Sequence, residues 1–192
     1  MISSEIRRNN DMFSSRKFSS MVARLFLPTV MACIALLILS NAAQSVPMVN
    51  DPDGFEGIKW GSKLPASDDM KLVDDTGRLK TYEFKSDAPK LGDITVSSLR
   101  FTAVENKLAR VTVRYEGKDA HDKILVFLQS RYGPLDRTPG QLSVGPVKFY
   151  SWQGFDTEVT LRYQAKTDLG IIFFESQSLR AALNDGNSPT VF

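Results

Sequence analysis

Alternation of apolar and polar residues runs through most of the chain between residues 79 and 175, and it predicts a series of β-strands. The apolar positions change parity at Ser97 and Ser98, which indicates a β-bulge inside one of these strands. Polar segments at 61–75 and 135–146 are expected to be connections, the first with a helical turn near 65–70. The predicted strands are 55–60, 79–85, 94–103, 108–115, 148–153, 157–164 and 171–175.

One segment, residues 119–132 (DAHDKILVFLQSRY), shows the period of an amphipathic helix. Asp119 is expected to cap its N-terminus, and Gly133 followed by Pro134 is expected to end it. Its apolar stripe needs a sheet face to cover, so the helix is predicted to pack across one face of the sheet. The stripe consists of Ala120, Ile124, Leu125, Phe127, Leu128 and Tyr132.

This order of elements predicts an α+β fold: an antiparallel sheet of about six to seven strands with one principal helix packed on one face. The pairing is expected to be antiparallel because the connections between consecutive strands are short. No internal repeat or linker divides the patterned region. Residues 46–176 are therefore predicted to form a single domain, and residues 177–192 a flexible C-terminal tail.

Ahead of the patterned region lies an uncharged run of fifteen residues, 25–39 (LFLPTVMACIALLIL). Basic residues precede it and small residues follow it, the arrangement of a secretory signal peptide. Residues 1–45 are therefore predicted to be a signal peptide, with cleavage after Ala42 or Ser45. The stretch before the apolar run is long for such a signal, which makes Met21 an alternative start.

The apolar run has two other interpretations. A membrane-spanning helix needs about 20 apolar residues, and this run is shorter and contains Pro28. An uncleaved anchor is kept as an alternative, in which only residues 25–39 contact the membrane. Lipid modification of Cys33 is disfavoured because the apolar run continues beyond that residue.

Removing the leader changes the charge and the available chemistry. The chain has 24 Lys+Arg and 22 Asp+Glu, of which residues 1–45 hold 5 and 2, so the remainder has 19 and 20. A nearly neutral domain gives no indication of a nucleic-acid partner. Cys33 is the only cysteine, so cleavage removes thiol catalysis, Cys-ligated zinc and disulfides. The leader predicts that the protein is exported.

Candidate catalytic chemistry is sparse. His121 is the only histidine and lies beside Asp119 and Asp122, and these three groups cannot converge on a metal at a helix start. We therefore predict no metal site, no cofactor and no enzymatic activity, and keep a hydrolase using His121 with nearby carboxylates as an alternative. The acidic residues between 51 and 75 do not follow the spacing of a calcium loop and are interpreted as solvated turns.

The segment 54–61, GFEGIKWG, combines aromatic residues and glycines directly after a predicted turn. A phosphate-binding loop would place its glycines at the start of a helix, with a lysine aimed at the ligand. Lys59 is instead expected to point outward from a strand. The segment is interpreted as a packed first strand and a tight corner.

Three short motifs carry a resemblance to known proteins: FEGIKWG at 55–61, RYGP at 131–134 and YSW at 150–152. Together they resemble a loose group of small exported bacterial proteins of uncharacterised function, which open with an F-x-G-I-x-W-G strand. The resemblance implies a location in the periplasm or cell envelope of a bacterium. It implies no known activity and no functional residues.

Bulky residues on both faces of two predicted strands point to a binding surface. A sheet covered on one side should alternate cleanly, but 149–152 and 171–174 do not. Exposed aromatic patches commonly mark interaction surfaces. Tyr150, Trp152 and Phe174 are predicted to form the contact surface; the alternative is that the polar segments 61–78 and 135–147 cover the second face.

Three arginines lie on the polar positions of their strands: Arg110, Arg114 and Arg162. Guanidinium groups in a row are suited to binding carboxylates or phosphates. Glu83 and Glu158 have the same parity, so a mixed-charge face is the alternative.

The sequence therefore predicts an exported, non-enzymatic envelope domain that binds an envelope protein or a small ligand through an aromatic-lined sheet face. The alternatives are the hydrolase and a membrane-tethered structural protein.

Overall fold

The computed structural model describes residues 46–85, 88–135 and 140–185. The predictions made for the leader lie outside the described residues. The elements are β1 (Val46–Pro47), β2 (Gly54–Phe55), β3 (Ile58–Lys59), β4 (Met70–Asp75), β5 (Leu79–Phe84), β6 (Lys90–Leu91), β7 (Ile94–Thr95), β8 (Ser98–Val104), β9 (Lys107–Glu116), α1 (Lys118–Tyr132), β10 (Gln141–Val144), β11 (Val147–Gln153), β12 (Thr157–Gln164), β13 (Leu169–Ser176) and α2 (Arg180–Asn184).

Nine of these strands form one sheet. Eight follow the order β1-β11-β12-β13-β9-β8-β5-β4, and β10 shares the outer edge of β11 with β1. Every pairing is antiparallel except β1 with β11. The helix α1 connects the β4–β9 part to the β10–β13 part, and β13 returns to pair with β9. The α+β class and the antiparallel sheet are confirmed, with more strands than predicted.

The additional strands lie at the edges of the sheet. Strand β4 falls in a segment predicted to be a connection, and Met70 is its only buried residue. All four residues of β10 are exposed. An edge strand that buries little apolar surface has no strong alternation, so periodicity does not reveal it.

The parity change near Ser97 marks a break between strands. The N–H of Val96 donates to the Pro89 carbonyl at 3.0 Å, and the N–H of Ser97 donates to the Arg114 carbonyl at 2.7 Å. The predicted strand 94–103 is therefore two strands, β7 and β8. The register shift between β8 and β9 occurs later, between Thr102 and Ala103.

The helix α1 agrees with the predicted segment within one residue at its start. Gly117 occupies the N-cap position without a side-chain hydrogen bond, and Asp119 lies in the first turn, so the capping role predicted for Asp119 is wrong. Gly133 ends the helix, and its N–H donates to the Gln129 carbonyl at 2.9 Å. The buried residues of α1 are His121, Ile124, Leu128 and Tyr132.

The main core lies between α1 and the sheet face that it packs on, which we call the covered face. Trp152 is fully buried there, and its Nε1–H donates to the Gly133 carbonyl at the end of α1, 2.9 Å away. The helix is thus hydrogen-bonded as well as packed onto the sheet. The strand residues of this core include Phe101, Val111, Val113, Tyr115, Tyr150, Trp152, Val159, Leu161, Tyr163, Ile172 and Phe174.

The segment 54–61 forms the β2–β3 hairpin rather than one strand. Phe55 is buried, with its ring centroid 4.8 Å from that of Phe174 and 6.0 Å from that of Phe101. The Nε1–H of Trp60 donates to Thr157 Oγ1 at 2.6 Å, and Lys59 pairs with Asp53. The hairpin closes the core, which confirms the interpretation of this segment as packing.

Residues 177–185 are ordered, which corrects the predicted tail in this part. They form a turn and the helix α2, and Leu183 is fully buried against Leu79, Val104 and Ala109. Leu79 has the strand parity of Thr81, opposite to that of buried Tyr82. This second cluster therefore lies on the sheet face opposite α1, which we call the open face. The rest of the predicted tail lies outside the described residues.

Candidate functional site

The three residues predicted to form the contact surface lie in the core. Tyr150, Trp152 and Phe174 are 3%, 0% and 1% exposed. All three belong to the covered face, beneath α1 and the β2–β3 hairpin. The prediction that they contact a partner is corrected for this reason: their strand parity is the one that packs under the helix.

The alternating positions of the same strands form the open face. Cross-strand register arranges them in rows that run across β9, β13, β12 and β11. The first row is Arg114, Ile171, Arg162 and Phe149; the second is Thr112, Phe173, Thr160 and Ser151; the third is Arg110, Glu175, Glu158 and Gln153. This face carries Phe149 and Phe173 and none of the three predicted residues.

The third row consists mainly of charged residues in ion pairs. Arg110 and Glu175 are both largely buried, and the Nε of Arg110 lies 2.7 Å from Glu175 Oε1. This Nε has no aligned hydrogen-bond acceptor among the described residues, so the contact is a charge–charge interaction. Glu158 pairs with Arg180 of α2, and burial raises the pKa of Glu158. Arg110 thus belongs to a mixed-charge end of the face, beside α2.

The first row is different, because two arginines flank an apolar residue. Arg114 and Arg162 are the cross-strand neighbours of Ile171 on either side. Two strand spacings separate the two arginine backbones by about 9.5 Å. The Arg162 guanidinium lies over the Phe149 ring, with Cζ 5.6 Å from the centroid. Within the described chain, no carboxylate forms an ion pair with Arg114.

A groove of about 560 Å³ opens at this row. Its volume falls within the range of about 300–1,000 Å³ that is usual for small-ligand sites. The lining combines polar, cationic and apolar groups. Those that matter for binding are Ser98, Arg114, Glu116, Arg162, Leu169 and Ile171.

Beyond Arg162 and Gln164 of β12, an apolar strip lies between the groove and the edge of the sheet. Leu142 and Val144 of β10 pair with Phe149 and Val147 of β11, so they share the open face. Leu142 is 50% exposed, Val144 59%, and Leu169 on the groove wall 48%. Several large apolar side chains exposed together commonly mark a binding surface. Sequence reasoning missed this strip because β10 was predicted to be a loop.

His121 lies on the other side of the sheet, in a buried aromatic cluster. It is 3% exposed, its Nδ1 is 2.7 Å from the Tyr115 hydroxyl, and its ring stacks on Tyr163 at a centroid distance of 3.7 Å. The Tyr163 hydroxyl donates to Asp168 Oδ1 at 2.5 Å. Burial lowers the pKa of His121 to about 4, so its imidazole is neutral at physiological pH.

This environment gives His121 little opportunity to act on a substrate. The residue lines none of the three main grooves of the described chain. Asp122, one of the carboxylates predicted beside it, pairs with Lys118 instead. The hydroxyl that His121 does contact, that of Tyr115, is on a side chain with 1% exposure.

The acidic residues between 51 and 75 have structural partners at two positions. The Asp51 carboxylate accepts hydrogen bonds from the backbone N–H groups of Phe155, Asp156 and Thr157, at 2.5, 2.7 and 3.1 Å. Asp53 pairs with Lys59 at 2.7 Å. Asp51 is therefore an anchor for the β11–β12 turn, and not a freely solvated residue.

Among residues 46–85, 88–135 and 140–185, no group of three or more His, Cys, Asp or Glu side chains is arranged to hold a metal ion. No helix in the same residues has the length and apolar character needed to cross a membrane. No model of a known protein family, no curated protein and no solved structure matches this chain.

Proposed function

We propose that the protein is an exported, non-enzymatic binding module of the bacterial cell envelope, and that it binds its ligand on the open face. The groove at Arg114, Ile171 and Arg162 supports this proposal most directly. It brings two guanidinium groups and the apolar side chains of Leu169 and Ile171 to one cavity of ligand size. The opposite face is filled by α1 and the β2–β3 hairpin.

The envelope location rests on the leader and on the resemblance of three motifs to exported bacterial proteins. The apolar run at 25–39 has the length and flanks of a signal peptide. The absence of cysteine after residue 33 is compatible with a domain that relies on its core rather than on disulfides. In the alternative proposal, the apolar run is not removed and anchors the protein in the membrane.

The hydrolase alternative receives less support from the geometry. A general base must lie within reach of a substrate proton, but His121 is stacked on Tyr163 and lines none of the three main grooves of the described residues. A binding function uses the open face without requiring any rearrangement of this cluster.

The experiment that tests the binding function is a fragment screen followed by amide NMR. The protein is produced from the full chain with ¹⁵N labelling, and each fragment is added to the purified product. We expect chemical-shift changes to cluster on β9, β12 and β13 around the groove. Changes confined to the neighbourhood of His121, or no specific change with any fragment, would contradict the proposal.

A groove-filling variant provides the control. Ile171→Trp places a large ring between Arg114 and Arg162 and should abolish the shift changes. Val126 is 67% exposed on α1, on the other side of the molecule, so Val126→Trp adds the same ring elsewhere and should leave binding unchanged. Equal loss of binding in both variants would mean that the ring acts through stability and not through the groove.

A further inference from the structure

We infer that the ligand of the open face is a single amphiphilic anion, a molecule that joins a carboxylate or phosphate group to an apolar body. This inference rests on the proposed binding function and specifies the chemical class of its ligand. Three features of the open face lead to it: the paired arginines, the apolar floor between them, and the exposed apolar strip that extends to β10.

The anionic group is placed by the arginines. Arg114 has no carboxylate partner among the described residues, and Ser98 is its cross-strand neighbour on β8. Guanidinium donors form paired, charge-assisted hydrogen bonds with carboxylates and phosphates. Arg162 adds a second positive charge on the far side of Ile171. An anionic head group therefore fits beside Arg114 and Ser98, within the field of Arg162.

The charge of the groove favours an anion despite one acidic residue. Two arginines and Glu116 contribute the charged side chains of its lining. Glu116 pairs with Leu169, one row beyond the Arg114–Ile171 row toward the end of the strands. The Glu116 residue thus lies on the outer side of the groove. The row that contains Arg114 and Arg162 remains the position for an anionic group of the ligand.

The apolar body is placed by the exposed side chains that continue from the same row. Ile171 and Leu169 line the groove. Arg162 lies between Ile171 and Phe149, with its guanidinium over the Phe149 ring. Beyond Phe149 the strip reaches Leu142 and Val144. Three strand spacings from β13 to β10 give a length of about 14 Å. An extended apolar chain lying across these strands would cover side chains that are now half exposed. Removing this apolar surface from water favours binding.

A single molecule fits these features better than a larger partner. The groove has the volume of a small-ligand site. With two arginines and one glutamate, its lining is less positive than the surfaces that bind nucleic acid through many phosphate contacts. The combination of few charges in the groove and an apolar strip beyond Arg162 matches a molecule with one head group and one tail.

Calorimetric titration with four probes tests the inference. Decyl phosphate and decanoate, both kept below their micelle concentrations, supply two anionic head groups on comparable tails. Inorganic phosphate supplies a head group alone, and decyltrimethylammonium supplies a tail with the opposite charge. We expect saturable one-to-one binding of decyl phosphate or decanoate, and binding at least tenfold weaker for the other two probes.

Substitutions locate the binding. Arg114→Gln and Arg162→Gln should each weaken binding of the amphiphilic anion by about tenfold or more, the usual effect of losing a charge-assisted hydrogen bond. Arg114→Lys keeps the charge without the planar donor pair and should fall between wild type and Arg114→Gln. Arg78 pairs with Glu105 near the β4–β5 turn, so Arg78→Gln changes the charge equally and should have no effect.

Four results would overturn the inference. Inorganic phosphate binding as tightly as decyl phosphate would reveal a site for the head group alone. Equal binding of decyltrimethylammonium would reveal adsorption of apolar chains without charge selection. Binding to phosphatidylglycerol vesicles without binding of the monomers would reveal a membrane surface. Unchanged affinity in Arg114→Gln and Arg162→Gln would place the ligand elsewhere.

The failure of the ligand class is distinguishable from the failure of the binding function. If no amphiphilic anion binds, but fragments still shift the amides of β9, β12 and β13 and Ile171→Trp abolishes those shifts, the ligand class is wrong and the binding function stands. If the fragments also give no response at the open face, both are wrong.

Discussion

Gly170 shows how one residue without a side chain shapes the buried cluster around His121. It pairs with Tyr115 on one side and with Tyr163 on the other. A Cβ atom at position 170 would lie 1.9 Å from Cζ of Tyr115. Because Gly170 has no side chain, the Tyr115 ring lies directly against the β13 backbone. In this position its hydroxyl reaches His121.

Replacing Gly170 with alanine should destabilise the fold, because the Tyr115 ring must leave its position or the strands must shift. We expect a loss of about 1–3 kcal/mol in the free energy of unfolding, the usual cost of overpacking. Urea unfolding of both proteins measures the difference.

A double-mutant cycle tests the cause of that loss. In a Tyr115→Leu background the ring is absent, and Gly170→Ala should cost much less than in the wild type. The same cost in both backgrounds would show that contact with Tyr115 is not the reason for the glycine.

The buried histidine should make stability depend on pH. Burial lowers the pKa of His121 from 6.5 to about 4 in the folded protein, so the unfolded chain binds more protons between these values. The neutral imidazole of His121 makes its full contribution to the free energy of unfolding above pH 6.5. That contribution is lost as the pH falls from 6.5 towards 4. The change should reach at most roughly 3 kcal/mol over this interval.

Comparison with His121→Phe isolates this contribution, since carboxylates titrate in the same interval. The variant is expected to be less stable at pH 7, because the Tyr115 hydroxyl loses its buried partner. Its stability should nevertheless fall less steeply from pH 6.5 to pH 4, as measured by urea unfolding at several pH values. Parallel pH profiles would mean that the pKa of His121 is not lowered in the folded state.

Among the elements, α2 has the least conspicuous sequence and a clear packing role. Its five residues include Leu183, which fills the second core on the open face between Leu79, Val104 and Ala109. The helix also brings Arg180 to Glu158. It thereby closes the end of the open face that lies away from the groove.

Leu183→Ala should lower the free energy of unfolding by about 2–4 kcal/mol, the usual range for a buried leucine. Asn184 is the next residue and is exposed, so Asn184→Ala is a matched control that should change stability by less than about 0.5 kcal/mol. Thermal or urea unfolding measures both variants. If Leu183→Ala behaves like the control, α2 is not docked on the sheet in solution.

Elements with a buried stripe were predicted well, and those without one were not. Strand β12 and helix α1 bury alternate or periodic positions, and their predicted bounds agree with the structure within one residue. Strands β4 and β10 expose nearly all their residues. Apart from the buried Met70 of β4, backbone hydrogen bonds to neighbouring strands hold β4 and β10 in the sheet, and such bonds have no signature in local sequence.

At the level of the complete chain, export is the prediction with the largest consequence. Expression of the full chain in a bacterium should yield a periplasmic protein that begins after Ala42 or Ser45, and intact-mass measurement identifies its first residue. The double substitution Leu36→Arg and Leu37→Arg interrupts the apolar run and should prevent export. A wild-type product that retains residues 25–39 would favour the anchored alternative.

The alternation of residues along the chain was sufficient to predict an antiparallel sheet and the helix that packs on it. The residues that occupy the second face of the sheet could be identified only from the tertiary structure. Neighbouring positions of β11 hold the aromatic residues Phe149, Tyr150 and Trp152. The local pattern does not predict which of them lie beneath α1. The helix and the β2–β3 hairpin cover one parity through long-range contacts, and this leaves Phe149, Ile171 and the two arginines on the open face.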